Sequence, residues 1–268
     1  MHYVFAFAMD FRKGQVKTTM TGHEFDVLNY INLHEIGRTD QIASNLQISE
    51  STVRRMLDKL EQKGLVVRFH GGASKVKSGQ SADVYQRFEK FPKVKNQIAK
   101  AAAGMVRDGN IIILLGGTTV ACMCKYLQMK RLTVITNSLI VFNMLKENVT
   151  TKIILLGGEY SSQEDELKGS LTNSTILQLG ADCLFSGATA FDERRGFLTD
   201  QVDAIELYNS CFQATKKVIM LADSSKCNKN SIAVIAACDK VDCLITDSGI
   251  PDRVVEGFEQ SDVEVIKA

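Results

Sequence analysis

The chain has 268 residues, 45% of them hydrophobic, enough for two separate cores, which excludes a single small domain as the starting expectation. Lys and Arg number 32 against 31 Asp and Glu, and a net charge of +1 excludes a globally basic coat, so any attraction to DNA has to come from segregated charge. The seven cysteines lie on or beside apolar runs and all four histidines precede them, which argues against a metal centre and for reduced core thiols in a cytoplasmic protein with no cofactor.

Residues 1–20 open with an apolar stretch, Tyr3 to Met9, which lacks a basic leader and runs into Asp10, Arg12 and Lys13. At about half the length of a secretory core, it predicts neither export nor a membrane span. These residues read as a disordered leader.

Residues 21–78 read as a winged helix-turn-helix domain. From Thr21 to Lys63 the apolar residues recur at helical spacing, starting with Phe25, Leu28 and Ile31 or Ile36. Thr39 is placed to cap a short helix with inner face Ile42, Ala43 and Leu46, and Ser49 to cap a longer one with inner face Val53, Met56, Leu57 and Leu60. Gly64 supplies the stop, and Gln47 stands in the turn between the two helices where glycine is usual. In this geometry the second helix enters the major groove and presents Ser51, Thr52, Arg54 and Arg55 to base edges and phosphates. Leu65 to Gly72 alternates into a Gly-Gly turn and predicts one strand of a hairpin, which brings Arg68 and His70 in as further DNA contacts. Residues 73–82 are small and polar and read as a linker or the loose end of the wing. Residues 62–100 hold nine Lys and Arg against two acids, the segregated basic surface that the net charge conceals. The bland alternative is a three-helix bundle with solvated charges, used for protein contact.

Residues 79–268 read as a mainly parallel α/β domain. Seven short apolar runs alternate with helical stretches: Ile111 to Leu115, Leu132 to Thr136, Lys152 to Leu156, Cys183 to Phe185, Val218 to Leu221, Val241 to Thr246 and Val263 to Ile266. Their length and β-branched content suit strands buried on both faces. The first runs into Gly116-Gly117-Thr118-Thr119 and then a helix, a turn in which backbone N–H groups and two hydroxyls suit an anion. The same glycines serve equally well for the geometry of a strand-to-helix turn.

The run Ser49 to Ala73 resembles the recognition helix and wing of DeoR-type repressors, with Met56 where the family usually has an acid. Val134-Ile135-Thr136-Asn137-Ser138, Leu155 to Glu159, Leu221-Ala222-Asp223-Ser224-Ser225-Lys226 and Leu244 to Asp247 resemble the DeoR-type C-terminal domain in the same order. That domain is similar to ribose-5-phosphate isomerase and CoA transferases and commonly binds a sugar phosphate. The resemblance implies that Gly117, Thr118 and Thr119 hold phosphate, that Asn137 and Ser138 contact the ligand and that Lys226 adds a cation. A helix cap at Asn137 and Ser138 and a solvated charge at Lys226 are the alternatives. Leu115, Thr189-Ala190 and Tyr208 depart from the family, which has acids at the first two places and a basic residue at the third. Two lost acids remove acceptors for hydroxyl groups, so the ligand is expected to make fewer hydroxyl contacts than a typical sugar phosphate.

The resulting expectation is a regulator, a repressor of sugar or related carbon-metabolism genes, that binds a double-stranded operator as a homo-oligomer and is released by a phosphorylated metabolite. Two alternatives stay open: a sugar-phosphate isomerase or CoA-transferase-like enzyme on the same scaffold, and a DNA binder that is constitutive or controlled by a protein. Isomerisation needs a carboxylate base and CoA transfer a nucleophilic Glu, and the sensing half has no His.

Overall fold

The computed structural model describes residues 22–63, 65–69, 71–75, 84, 87, 88 and 90–268. The chain divides into two compact units between Lys77 and Ser78. The leader, Gly64, His70 and residues 76–82 of the linker lie outside the described residues.

In the first unit, α1 (Gly22–His34) buries Glu24, Val27 and Ile31, so its inner face is offset from the one that Phe25 and Leu28 predict; those two are half-buried. Glu35, with φ of 61°, ends the helix, and Ile36 starts a short strand β1 (Ile36–Arg38) instead of continuing the helical face. The carboxylate of Glu24 is buried and accepts from Lys59 at 3.2 Å and Lys63 at 2.9 Å, which answers the cost of an enclosed charge. Next come α2 (Thr39–Leu46) and α3 (Glu50–Gln62), the latter burying Val53, Met56, Leu57 and Leu60. Ser49 caps α3, its hydroxyl accepting from the Thr52 N–H at 3.3 Å. Thr39 does not cap α2: it is the first helical residue, its buried hydroxyl has no partner among the described residues, and its N–H donates to the Gly71 carbonyl at 2.7 Å.

The wing is a hairpin of β2 (Val66–Phe69) and β3 (Gly72–Lys75), with Val66 opposite Lys75 and Phe69 opposite Gly72. β1 pairs along the other edge of β3, giving the order β1-β3-β2. Ala73 and Ser74 are therefore buried strand residues rather than linker, because small side chains are what the packed middle strand admits.

The second unit begins its regular structure with α4 (Pro92–Gly104) and β4 (Ile111–Leu114). It continues through α5 (Thr118–Leu127), β5 (Leu132–Thr136), α6 (Leu139–Leu145) and β6 (Thr151–Leu155). A hairpin, β7 (Glu159–Ser161) with β8 (Glu166–Lys168), precedes α7 (Ser170–Ile176) and β9 (Ala181–Gly187). Then come β10 (Ala190–Asp192), β11 (Gly196–Thr199), α8 (Ala204–Ala214), β12 (Thr215–Leu221) and β13 (Ala233–Ala236). The chain closes with β14 (Cys243–Thr246), α9 (Asp252–Glu259) and β15 (Glu264–Lys267).

All seven apolar runs enter one parallel sheet of order β15-β14-β12-β9-β4-β5-β6. Period-two alternation sends Ile112, Leu114, Ile219 and Leu221 to the face packed by α4, α5 and α6, and Ile113, Met220 and Leu244 to the face packed by α7, α8 and α9. Burial on both faces is why these runs read as continuous apolar stretches. From β4 the chain moves outward to β6, then returns to lay β9 against the other side of β4 and moves outward again. The direction reverses between β4 and β9, and the loops that follow these two strands diverge, leaving a crevice at their carboxyl ends. The antiparallel sheet β10-β11-β13 and the β7–β8 hairpin were not readable, since three or four residues are too few for alternation to register. No described helix is long and apolar enough to cross a membrane.

Candidate functional site

At the N-terminal end of α3, Ser51, Arg54 and Arg55 are exposed and Thr52 is half-buried, so four of the six sequence-named DNA candidates share one solvent-facing surface. Arg54 donates to Glu50 one turn back at 2.7 Å, while Arg55 has no polar partner among the described residues. Arg68 points elsewhere: it is largely buried, lies 3.3 Å from Asp58 and donates to the Gly72 carbonyl at 3.2 Å, bracing the wing against α3. His70 lies outside the described residues.

The basic run of residues 62–100 is not one surface. Lys63 is tied to Glu24, whereas Arg87, Lys90 and Lys95 belong to the second unit and line a cavity there. Lys95 is 3% exposed.

That cavity, about 500 Å³, opens at the crevice between β4 and β9. The turn Gly116 to Thr119 forms one wall, where Gly117, with φ of 121°, leads into α5 and no described side chain caps the helix. The first N–H groups of α5 are thus left for another acceptor, and the buried Thr119 hydroxyl beside them has no partner among the described residues.

Three cations line the same cavity. Lys226 sits on the single turn Ser224–Lys226 after β12 and donates to the Ala188 carbonyl at 2.6 Å. Burial pushes its ammonium down to about 8; Asp223 opposes this, and Lys95 and Arg87 push it further the same way. Lys95 donates to the Arg87 carbonyl and is likewise lowered by burial, with Asp223 again opposing. Arg87 pairs with Glu164, and its buried Nε has no partner among the described residues. Asp247 holds the Lys226 turn in place, accepting from the Ser224 N–H and hydroxyl at 2.7 Å each. Burial alone would raise the Asp247 carboxyl, but these hydrogen bonds keep it below the ordinary range.

Of the six residues assigned to the ligand, Gly117, Thr118, Thr119 and Lys226 line the cavity; Asn137 and Ser138 do not. The Ser138 hydroxyl caps α6, accepting from Val141 at 3.4 Å. Asn137 is fully buried and exchanges hydrogen bonds with Leu167: its side-chain amide donates to the Leu167 carbonyl at 3.0 Å, and its own carbonyl accepts from the Leu167 N–H at 2.8 Å. It thereby fixes β8 and with it Glu166, which enters the cavity. Burial raises the Glu166 carboxyl, with Lys168 at 3.4 Å and the Asn137 amide pulling the other way.

Leu115, 2% exposed, and Ala190 belong to the core, and Thr189 is exposed on the cavity wall. Tyr208 lies at the back of the cavity, its hydroxyl bonded to Ser186 and donating to the Gly187 carbonyl at 3.1 Å, and burial raises it well above the ordinary phenol range.

Arg87, Lys95 and Glu166 escaped sequence reasoning. A signal existed for Lys95: it shares the buried stripe of α4 with Ile98, Ala99 and Ala102, where an unpaired lysine has no structural reason to be.

The sequence matches two families, the DeoR-like helix-turn-helix domain over residues 26–79 and the DeoR C terminal sensor domain over residues 90–248. It is similar to the HTH-type transcriptional repressor GlcR of Bacillus subtilis, 32% identical over 241 residues, which cover 90% of this chain and 93% of that protein. It is also similar to the lactose phosphotransferase system repressor of Staphylococcus epidermidis, 29% identical over 245 residues, with 90% and 96% covered. Among solved structures, ribose 5-phosphate isomerase A of Methanocaldococcus jannaschii is 17% identical with a TM-score of 0.38, covering 51% of this chain and 54% of that one. The chain therefore belongs to the DeoR family of helix-turn-helix transcriptional regulators.

Proposed function

We propose that the protein represses sugar or related carbon-metabolism genes and leaves its operator when a phosphorylated metabolite occupies the cavity of the second unit. The observation that carries this reading is that Arg87, Lys95 and Lys226 line one cavity with the turn that leads into the N-terminus of α5. Burial holds Lys95 and Lys226 below the ordinary lysine range, Asp223 opposes it for both, and the charge of Arg87 works against each, so an added anion would be favoured there. A phosphate monoester meets it with charge and with three acceptor oxygens for the α5 N–H groups and the threonine hydroxyls. Similarity to the Staphylococcus lactose phosphotransferase system repressor fits a regulator of sugar uptake genes.

Genomic footprinting identifies the operator, and the neighbouring genes indicate the metabolite class. Titrating a labelled operator fragment with the protein, with and without a panel of sugar phosphates, then tests release. A panel member that binds the protein and weakens the operator complex supports the reading; operator affinity indifferent to every member that binds favours a regulator controlled by a protein partner.

A further inference from the structure

The replacement of acids by Leu115 and Thr189 suggests a cavity poor in acceptors for hydroxyl groups, but the structure supplies another carboxyl from a different element. Glu166, on the β7–β8 hairpin, reaches across to the phosphate-binding turn so closely that a Cβ on Gly116 would collide with its Oε2. Glycine at 116 is what makes room for that carboxyl. The hairpin is held there by the two hydrogen bonds between Asn137 and Leu167 and by the bridge between Ser138 and Glu166. From the far side, Lys168 lies 3.4 Å from Glu166 and also contacts Gln201 and Asp203, which anchors the pair to the rim before α8.

We propose that Glu166 is the hydroxyl-selecting residue of the cavity, so that the ligand is a phosphorylated polyhydroxy compound with a hydroxyl near its phosphate-bearing end, held between Glu166 and the Gly116–Thr119 turn. The proposal rests on the phosphate reading above and specifies what accompanies the phosphate. A carboxyl this close to an anion site repels a phosphate dianion unless something intervenes, and a ligand hydroxyl donating to it turns that repulsion into a hydrogen bond. Phosphate esters without a hydroxyl leave that repulsion in place, with only Lys168 and the Asn137 amide to answer the carboxyl among the described residues. Selection therefore works in both directions, by reward for the polyol and by penalty against the bare ester.

The test is calorimetric titration of the full chain with methyl phosphate, sn-glycerol 3-phosphate, ribose 5-phosphate and glucose 6-phosphate. The readout is the ratio of each hydroxylated ester's affinity to that of methyl phosphate. For the unaltered protein at least one ratio should be about tenfold or more, the scale of one hydrogen bond to a charged group. Glu166→Ala should bring that ratio close to one, and Glu166→Gln, which preserves shape and so guards against a folding defect, should reduce it several-fold. Lys226→Met should instead weaken all the esters together and leave the ratio standing. A ratio that survives in a folded Glu166 variant, or a wild-type protein that binds methyl phosphate as well as any polyol ester, overturns the role of Glu166 alone. Failure of the wild-type protein to bind any of the four overturns this inference together with the phosphate reading.

Discussion

Lys226 is held in a state that an anion would change. Burial brings its ammonium down to about 8, against an ordinary lysine value near 10.5, so the free cavity loses this charge as pH rises through about 8. A bound phosphate raises the same group, and the affinity must then fall by up to about tenfold per pH unit from about 8 up to the bound-state value. The phosphate's own second ionisation lies near 6 and is complete before this window opens. Titrating a phosphate ester at pH 7, 8 and 9 should show that loss, and Lys226→Met should weaken binding at pH 7 and flatten the profile. A profile equally steep in the variant would put the titrating group elsewhere. On the DNA side, magnitudes separate Arg54 and Arg55 from Arg68. The exposed Arg54–Glu50 pair is worth about 0.3–0.5 kcal/mol, so Arg54 exchanges it for a base or phosphate at little cost. Arg54→Ala and Arg55→Ala should each weaken operator binding by about 1–3 kcal/mol with near-native melting. Arg68 joins Asp58 to the Gly72 carbonyl, so Arg68→Ala should instead lower the melting temperature. Gel-shift titrations paired with thermal unfolding distinguish the two patterns.

Gln47 connects α2 to α3 in the left-handed region, with φ of 54° and ψ of 41°, and its N–H donates to the Ala43 carbonyl. A side chain there costs roughly 1–2 kcal/mol, while glycine forfeits about 0.5–1 kcal/mol of unfolded-state freedom, so Gln47→Gly should stabilise the first unit by about 0.5–1 kcal/mol. A melting temperature that falls would show that the Gln47 side chain contributes more than its backbone strain removes. The missing glycine was visible in the sequence, as were the inner face of α3 and its Ser49 cap, because both depend on contacts within one or two turns. The seven strands were visible for the same kind of reason: burial on both faces writes an unbroken apolar run. What stayed hidden depends on distant partners. The offset of α1 comes from Glu24, whose burial makes sense only once Lys59 and Lys63 are known to lie opposite it. The order β15-β14-β12-β9-β4-β5-β6, with only β9 between β4 and β12, lets Gly117 and Lys226 line one cavity although they are far apart in the chain, and it leaves Asn137, next to a strand end, supporting β8 instead of facing the cavity.

At the scale of the whole molecule, family membership removes the isomerase and acyl-transferase alternatives and leaves a question of coupling. The polypeptide leaves the DNA-reading unit at Lys77, and the next described stretch supplies Arg87, Lys90 and Lys95 to the cavity. An anion that draws Arg87 away from Glu164 perturbs the described cavity residue nearest in sequence to the boundary between the two units. Such a ligand releases DNA only to the extent that it prefers the DNA-free conformation, and by reciprocity operator DNA must weaken the ligand by the same factor, typically 5- to 150-fold. Measuring ligand affinity with and without saturating operator, and operator affinity with and without saturating ligand, should give equal ratios. Arg87→Ala should lower the ligand affinity and also shrink that ratio if coupling runs through the cavity cation nearest in sequence to the boundary. Lys226→Met should lower the affinity while leaving the ratio near its wild-type value, since Lys226 follows β12, far along the chain from the junction. Equal loss of coupling in both variants would place the communication in cavity occupancy as a whole, and an unchanged ratio in Arg87→Ala would remove the joining segment from the route.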